Sequence, residues 1–94
     1  MYRKPVQKMI KITRFTASWC SPCRVLAPIF DQISQEMQEK ASFLTIDIDQ
    51  DKDTTRQYGI RSVPTIVITK DGEEVKRIVG LKSINEYRNI FNSI

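Results

Sequence analysis

The chain's only two cysteines, Cys20 and Cys23, stand three residues apart in Trp19-Cys20-Ser21-Pro22-Cys23-Arg24. That spacing suits a reversible disulfide opening a helix. Free backbone N–H groups and the macrodipole at a helix start favour negative charge on the first sulfur, which makes Cys20 the attacking thiolate. Cys23 lies above the same helical face and can reach back to break a mixed disulfide formed by Cys20, so it is the resolving thiol. Pro22 fits an early helical position where a missing N–H costs nothing. It also stiffens the short ring that the disulfide closes and should influence the reduction potential.

Two other uses of the pair have to be weighed. A structural cross-link over so small a loop removes little chain entropy from the unfolded state and is a poor staple. Half of a zinc site would need further ligands, and the sequence has no histidine and no third cysteine, leaving only carboxylates or a second subunit. The redox reading is favoured, with no metal expected.

A strand and a helix must meet at this segment. Ile10 to Phe15 reads as a short strand, Ile10 and Ile12 alternating with Lys11 and Thr13, and it leads straight into the cysteine loop. From about Pro22 to Lys40, Leu26, Ile29, Phe30, Ile33 and Met37 recur at helical spacing as one apolar stripe, with Pro28 expected to kink the helix. Phe43 to Asp49 reads as a second strand, giving a right-handed parallel βαβ unit. Asp53 to Tyr58 reads as a short helix ended by Gly59. Thr65 to Lys70, with Ile66-Val67-Ile68, fits a strand buried on both faces, and Asp71-Gly72 turns tightly into Glu74 to Val79. Ser83-Ile84-Asn85-Glu86 is a capping box before Tyr87, Ile90, Phe91 and Ile94 on one side of a last helix. The order is βα βα ββα.

With 40% hydrophobic residues, 94 residues suffice for one domain, 1–94, and not for two cores. Met1 to Lys8 is polar and basic, without an apolar run suited to a signal peptide or membrane span. A cytoplasmic protein without a membrane partner is therefore the default, and in a reducing cytosol such a cysteine pair is more often redox-active than structural. Fifteen basic and eleven acidic residues give a net charge of +4, weighted toward Arg3, Lys4, Lys8, Lys11 and Arg14. A nucleic-acid surface would want a denser patch with interleaved aromatics.

From Met9 onward the chain closely resembles the thioredoxin family. The resemblance is carried by Ala17-Ser18-Trp19-Cys20 to Cys23, Ala27-Pro28-Ile29, Asp47-Ile48-Asp49, Tyr58-Gly59-Ile60-Arg61, Val63-Pro64-Thr65, Asp71-Gly72 and Val79-Gly80. It implies a thioredoxin fold with a cis Val63-Pro64 bond beside the disulfide. It further implies that the backbone at Val63 pairs with an extended substrate segment, and that Trp19, Pro64 and Gly80 complete the groove. A partly buried core aromatic and a plain turn glycine are the bland alternatives for Trp19 and Gly80.

Four departures from the family pattern accompany the match. The pattern begins with a further strand and helix that Met1 to Met9 is too short to supply, so the resemblance implies a four-stranded mixed sheet in the order 2-1-3-4. Arg14 stands where thioredoxins carry a buried aspartate, six residues before the first cysteine. Thr45 aligns with the lysine that accompanies that aspartate, and Ser21 replaces a glycine. An arginine cannot act as a base, but a nearby cation would favour thiolates directly. Arg14, Ser21 and Pro22 are thus candidates for tuning the pair, with Asp47 and Asp49 as spare proton carriers. Alternatively Arg14 turns outward from a frayed strand and touches nothing.

The function implied is reduction of protein disulfides by a small thioredoxin-like protein with no bound cofactor. NADPH-dependent thioredoxin reductase would supply electrons, disulfide-containing proteins would be the clients, and a monomer is the default. The alternatives are a disulfide oxidant or isomerase, a glutathione-using relative, and a binding module in which the Trp19 and Pro64 groove holds a partner without redox turnover.

Overall fold

Strand β1, Ile10–Thr16, runs through the middle of a four-stranded sheet. The computed structural model describes residues 9–94; Met1 to Lys8, with the basic Arg3, Lys4 and Lys8, lie outside the described residues. Around β1 are arranged α1 (Ser21–Glu36), β2 (Ala41–Asp47), α2 (Lys52–Gln57), β3 (Thr65–Lys70), β4 (Glu73–Val79) and α3 (Ile84–Asn92). The sheet order is β2-β1-β3-β4, with β1 parallel to β2, antiparallel to β3, and β3 antiparallel to β4. This is the βαβαββα thioredoxin architecture expected from the sequence.

A central position buries β1 on both faces, which the alternating reading of Ile10 to Thr13 did not anticipate. Ile12 and Arg14 share the face covered by α1 and α3, while Thr13 and Phe15 face the other way, and all four are buried. Leu26, Phe30 and Ile33 from α1 meet Ile66, Ile68 and Ile78 from the sheet and Tyr87 and Phe91 from α3 in one apolar core. On the opposite face Phe15 packs on Tyr58, ring centroids 5.5 Å apart.

The element ends differ from the sequence reading where pairing overrides local pattern. Helix α1 continues through Pro28 but closes at Met37, whose N–H donates to the Ile33 carbonyl, so Lys40 belongs to the following turn. Strand β2 starts at Ala41, not Phe43, because its register against β1 runs from Ile10 opposite Ala41 to Thr16 opposite Asp47. Asp49 consequently lies in the loop beyond the strand. Asp71 and Gly72 both take positive φ, 54° and 86°, as a tight hairpin requires. The capping box forms in both directions, Glu86 N–H donating to Ser83 Oγ and Ser83 N–H to Glu86 Oε1.

Candidate active site

Beyond β1 the chain turns through Ala17 to Trp19 into α1, and Cys20 is the residue that caps the helix. Its backbone is extended (φ −99°, ψ 109°), so its side chain rather than its own helical bonds faces the free N–H groups of the first turn. The Cys23 N–H donates to Cys20 Sγ at 3.2 Å. Cys20 and Cys23 form a disulfide with Cα atoms 5.2 Å apart. Both cysteines are buried in a small cluster with Ala17, flanked by Ile48 and Val63. Ser21 and Pro22 are the first two helical residues, and no acidic residue in that turn opposes a negative sulfur.

The second wall comes from the loop entering β3. Val63-Pro64 is a cis peptide bond, and the Val63 carbonyl oxygen lies 3.7 Å from Cys20 Sγ. Pro64 is buried, and its carbonyl accepts from the Gly80 N–H at 2.9 Å. Gly80 has φ +90°, a conformation that L side chains rarely adopt, and a Cβ there would meet nothing within 4 Å. Backbone geometry, not crowding, requires glycine at this point. The Gly80 carbonyl accepts from Tyr87 Oη, which in turn accepts from the Lys82 N–H. Burial raises the Tyr87 phenol above its ordinary value.

Trp19 stands at the rim, 63% exposed, so it is no core aromatic. Its indole N–H donates to Asp49 Oδ2 at 2.9 Å, and the Asp49 N–H donates to Asp47 Oδ1. Asp49 therefore holds the tryptophan, while Asp47 faces the cleft behind the cysteines. That cleft, about 250 Å³ and open to solvent, is lined by Arg14, Thr16, Ala17, Ser18, Cys23, Arg24, Ala27 and Asp47.

Arg14 is not turned outward. It is buried, its Nε and Nη2 groups donate to Thr45 Oγ1 at 3.4 and 3.1 Å, and its Cζ lies 5.2 Å from the centroid of the Phe30 ring. The parallel register places Arg14 directly beside Thr45 on β2. Burial lowers the guanidinium pKa and the charge of Asp31 partly offsets this. An arginine starts from so high a value that it stays protonated.

Cys20, Cys23, Trp19, Val63, Pro64 and Gly80 thus converge on one end of the sheet, with Arg14 lining the same cleft as Cys23 and Asp49 bonded to Trp19. The sequence pattern does not mark Phe30 or Arg24 as part of the site. Phe30 carries Arg14 and was read only as core; Arg24, whose Nη2 donates to the Ser18 carbonyl at 2.8 Å, fixes the turn before Cys20. The position of Arg24 directly after Cys23 was the available signal. Among the described residues, no group of three or more His, Cys, Asp or Glu side chains is placed to hold a metal ion.

The thioredoxin family model matches residues 1–93. The chain is 36% identical over 83 residues to the thioredoxin of Bacillus subtilis (strain 168), covering 88% of this chain and 80% of that protein. It is 44% identical over 78 residues to the thioredoxin of Rickettsia prowazekii (strain Madrid E), covering 83% and 74% respectively. Among solved structures, a point-mutant thioredoxin from Halobacterium salinarum NRC-1 matches with a TM-score of 0.84 at 32% identity, over 92% of this chain and 74% of that one.

Proposed function

This chain belongs to the thioredoxin family, and on that premise we propose a division of labour between its two cysteines. The protein is a thiol-disulfide oxidoreductase that reduces protein disulfides through its redox-active cysteine pair. In the proposed route the Cys20 thiolate attacks one sulfur of a client disulfide, forming a mixed disulfide and expelling the other client sulfur as a thiolate. The Cys23 thiolate then attacks Cys20 Sγ, the bond between Cys20 and the client breaks, and the second client sulfur leaves with its electron pair. Two electrons have passed to the client, and Cys20 and Cys23 are left oxidised.

The observation that carries this assignment is the Cys23 N–H directed at Cys20 Sγ at the capping position of α1. The same N–H stabilises a Cys20 thiolate once the disulfide opens, and the absence of a first-turn carboxylate leaves the macrodipole unopposed. Trp19, Val63, Pro64 and Gly80 form the client groove, in which the Val63 backbone pairs with an extended client segment. Asp49 sets the position of Trp19, and Ser21 and Pro22 tune the pair from the first helical turn.

Electrons return from NADPH-dependent thioredoxin reductase, and no cofactor resides on this chain. The family match over residues 1–93 supports a single domain across 1–94. A cytoplasmic monomer without nucleic-acid or membrane partners suffices, since both cysteines and the groove lie in one chain. No helix of the described residues is long and apolar enough to cross a membrane.

Single-cysteine variants test the assignment. Cys23→Ser is expected to accumulate a covalent adduct with a disulfide-bonded protein such as insulin, visible by mass spectrometry, whereas Cys20→Ser gives neither adduct nor turnover. Adduct formation through Cys23 in the Cys20→Ser form, at the rate of the Cys23→Ser form, would reverse the roles.

A further inference from the structure

Arg14 is a largely buried side chain whose guanidinium reaches an open cleft and bonds an exposed threonine. Its guanidinium carries five N–H donors, yet its side-chain hydrogen bonds go to a single neutral hydroxyl, that of Thr45. Among the described residues no carboxylate lies within ion-pair distance of it; the ion pairs there join Arg56 to Asp53, Arg77 to Glu74 and Arg88 to Glu36. A cation fixed at the wall of such a cleft favours negative charge on a neighbouring group. The group in its cleft that acquires negative charge during the reaction is Cys23.

Building on the cysteine roles proposed above, we propose that Arg14 is the fixed positive charge that keeps Cys23 ionised for the resolving step, in place of a proton-accepting group. The Cys23 proton passes to solvent through the open cleft before attack. Cys23 Sγ then forms a bond to Cys20 Sγ, the Cys20 bond to the client sulfur breaks, and the departing client thiolate takes a proton from water. Arg14 gains and loses nothing. The two hydrogen bonds to Thr45 and the face of the Phe30 ring fix where its charge sits.

Other charges bear on the same thiol. Asp47 of β2 lines the cleft and opposes ionisation of Cys23, although its Oδ1 is occupied by the Asp49 N–H. Arg24 of α1 lines the cleft too, but its guanidinium is exposed and bonded to the Ser18 carbonyl. Asp31, also on α1, acts on Arg14 from a distance. Burial of Cys23 itself disfavours the thiolate. The inference is that Arg14 outweighs Asp47 and burial together.

The test titrates Cys23 alone, in the Cys20→Ser background, by thiolate absorbance and by Cβ chemical shift. The expected midpoint lies below about 8.5, the ordinary thiol value. Arg14→Met, which retains an unbranched chain on the Phe30 ring, is expected to raise it by about one unit, a tenfold loss of thiolate at neutral pH. Arg14→Lys keeps the charge and is expected to titrate closer to the parent than the Met form does. A parent midpoint at or above about 8.5, or the same midpoint with Met as with Arg at position 14, overturns the proposal. If Arg14→Met does not fold, Arg14→Gln, which is neutral but can still bond Thr45, takes its place: a raised Cys23 midpoint is expected, and a midpoint equal to the parent's overturns the proposal. No client takes part in this titration. A failed titration with normal insulin reduction therefore sinks the inference alone, and failed reduction with the expected titration sinks the proposed function alone.

Discussion

Trp19 combines the largest exposed apolar side chain at the site with a fixed orientation, given by its indole hydrogen bond to Asp49. A rigid exposed aromatic is the kind of residue that anchors a partner, because little rotamer freedom remains to be lost on docking. Trp19→Ala is expected to lower kcat/KM for reduction of a protein disulfide about tenfold, equivalent to about 1.4 kcal/mol, mostly through KM. Asp49→Ala, which frees the ring but leaves it present, should have the smaller effect; steady-state insulin reduction checks both, and equal losses would mean that orientation matters as much as contact. Trp19 and the cysteines were legible because their chemistry depends on neighbours in sequence. Arg14 was not. An arginine near a strand end reads equally well as a solvated side chain, and its burial depends on Thr45 across the sheet and Phe30 on the helix above, both remote in the chain.

The secondary-structure elements that hold the site owe their ends to a few local contacts, and these are separately testable. The reciprocal Ser83 and Glu86 bonds start α3, whose Tyr87 then supports the Gly80 carbonyl. Ser83→Ala is expected to cost about 1 kcal/mol in urea unfolding. Gly80→Ala is expected to cost about 1 to 2 kcal/mol, since its φ of +90° is unfavourable for alanine while the added methyl meets open space. A neutral Gly80→Ala would show that the turn relaxes freely. The capping box and the Asp71-Gly72 turn could be read from sequence because each closes within four residues. The ends of β2 could not, because they are set by pairing with β1 about thirty residues away. That shift of two residues moved Asp49 from the strand into the loop, where it meets Trp19.

Taken as one body, the protein joins its last helix to its first through Arg88 with Glu36, at 2.6 Å, and to the turn after the first through Lys40 Nζ, which donates to the Asn92 carbonyl. These are surface contacts of modest worth, but they give stability a definite pH dependence. Hydrogen bonds from Arg88 and from Arg77 hold the Glu36 and Glu74 carboxyls below their ordinary values, and bonds from the Thr54 backbone and hydroxyl do the same for Asp51 at the start of α2. A carboxyl with a depressed folded pKa adds stability above its unfolded pKa, and that contribution disappears as pH falls through the folded value. Stability should therefore decline gently below about pH 4.5. Tyr87 acts at the other end. Its phenol is raised by burial, so the fold favours the neutral form, and the unfolded chain ionises first as pH climbs past about 10. In the oxidised protein, where Cys20 and Cys23 do not titrate, urea midpoints are expected to fall above about pH 10. Tyr87→Phe is expected to be less stable at neutral pH, having lost the bonds to Lys82 and Gly80, but to lose less stability between neutral and alkaline pH than the parent. Parallel alkaline declines in the two proteins would mean that a group other than Tyr87 sets the upper limit.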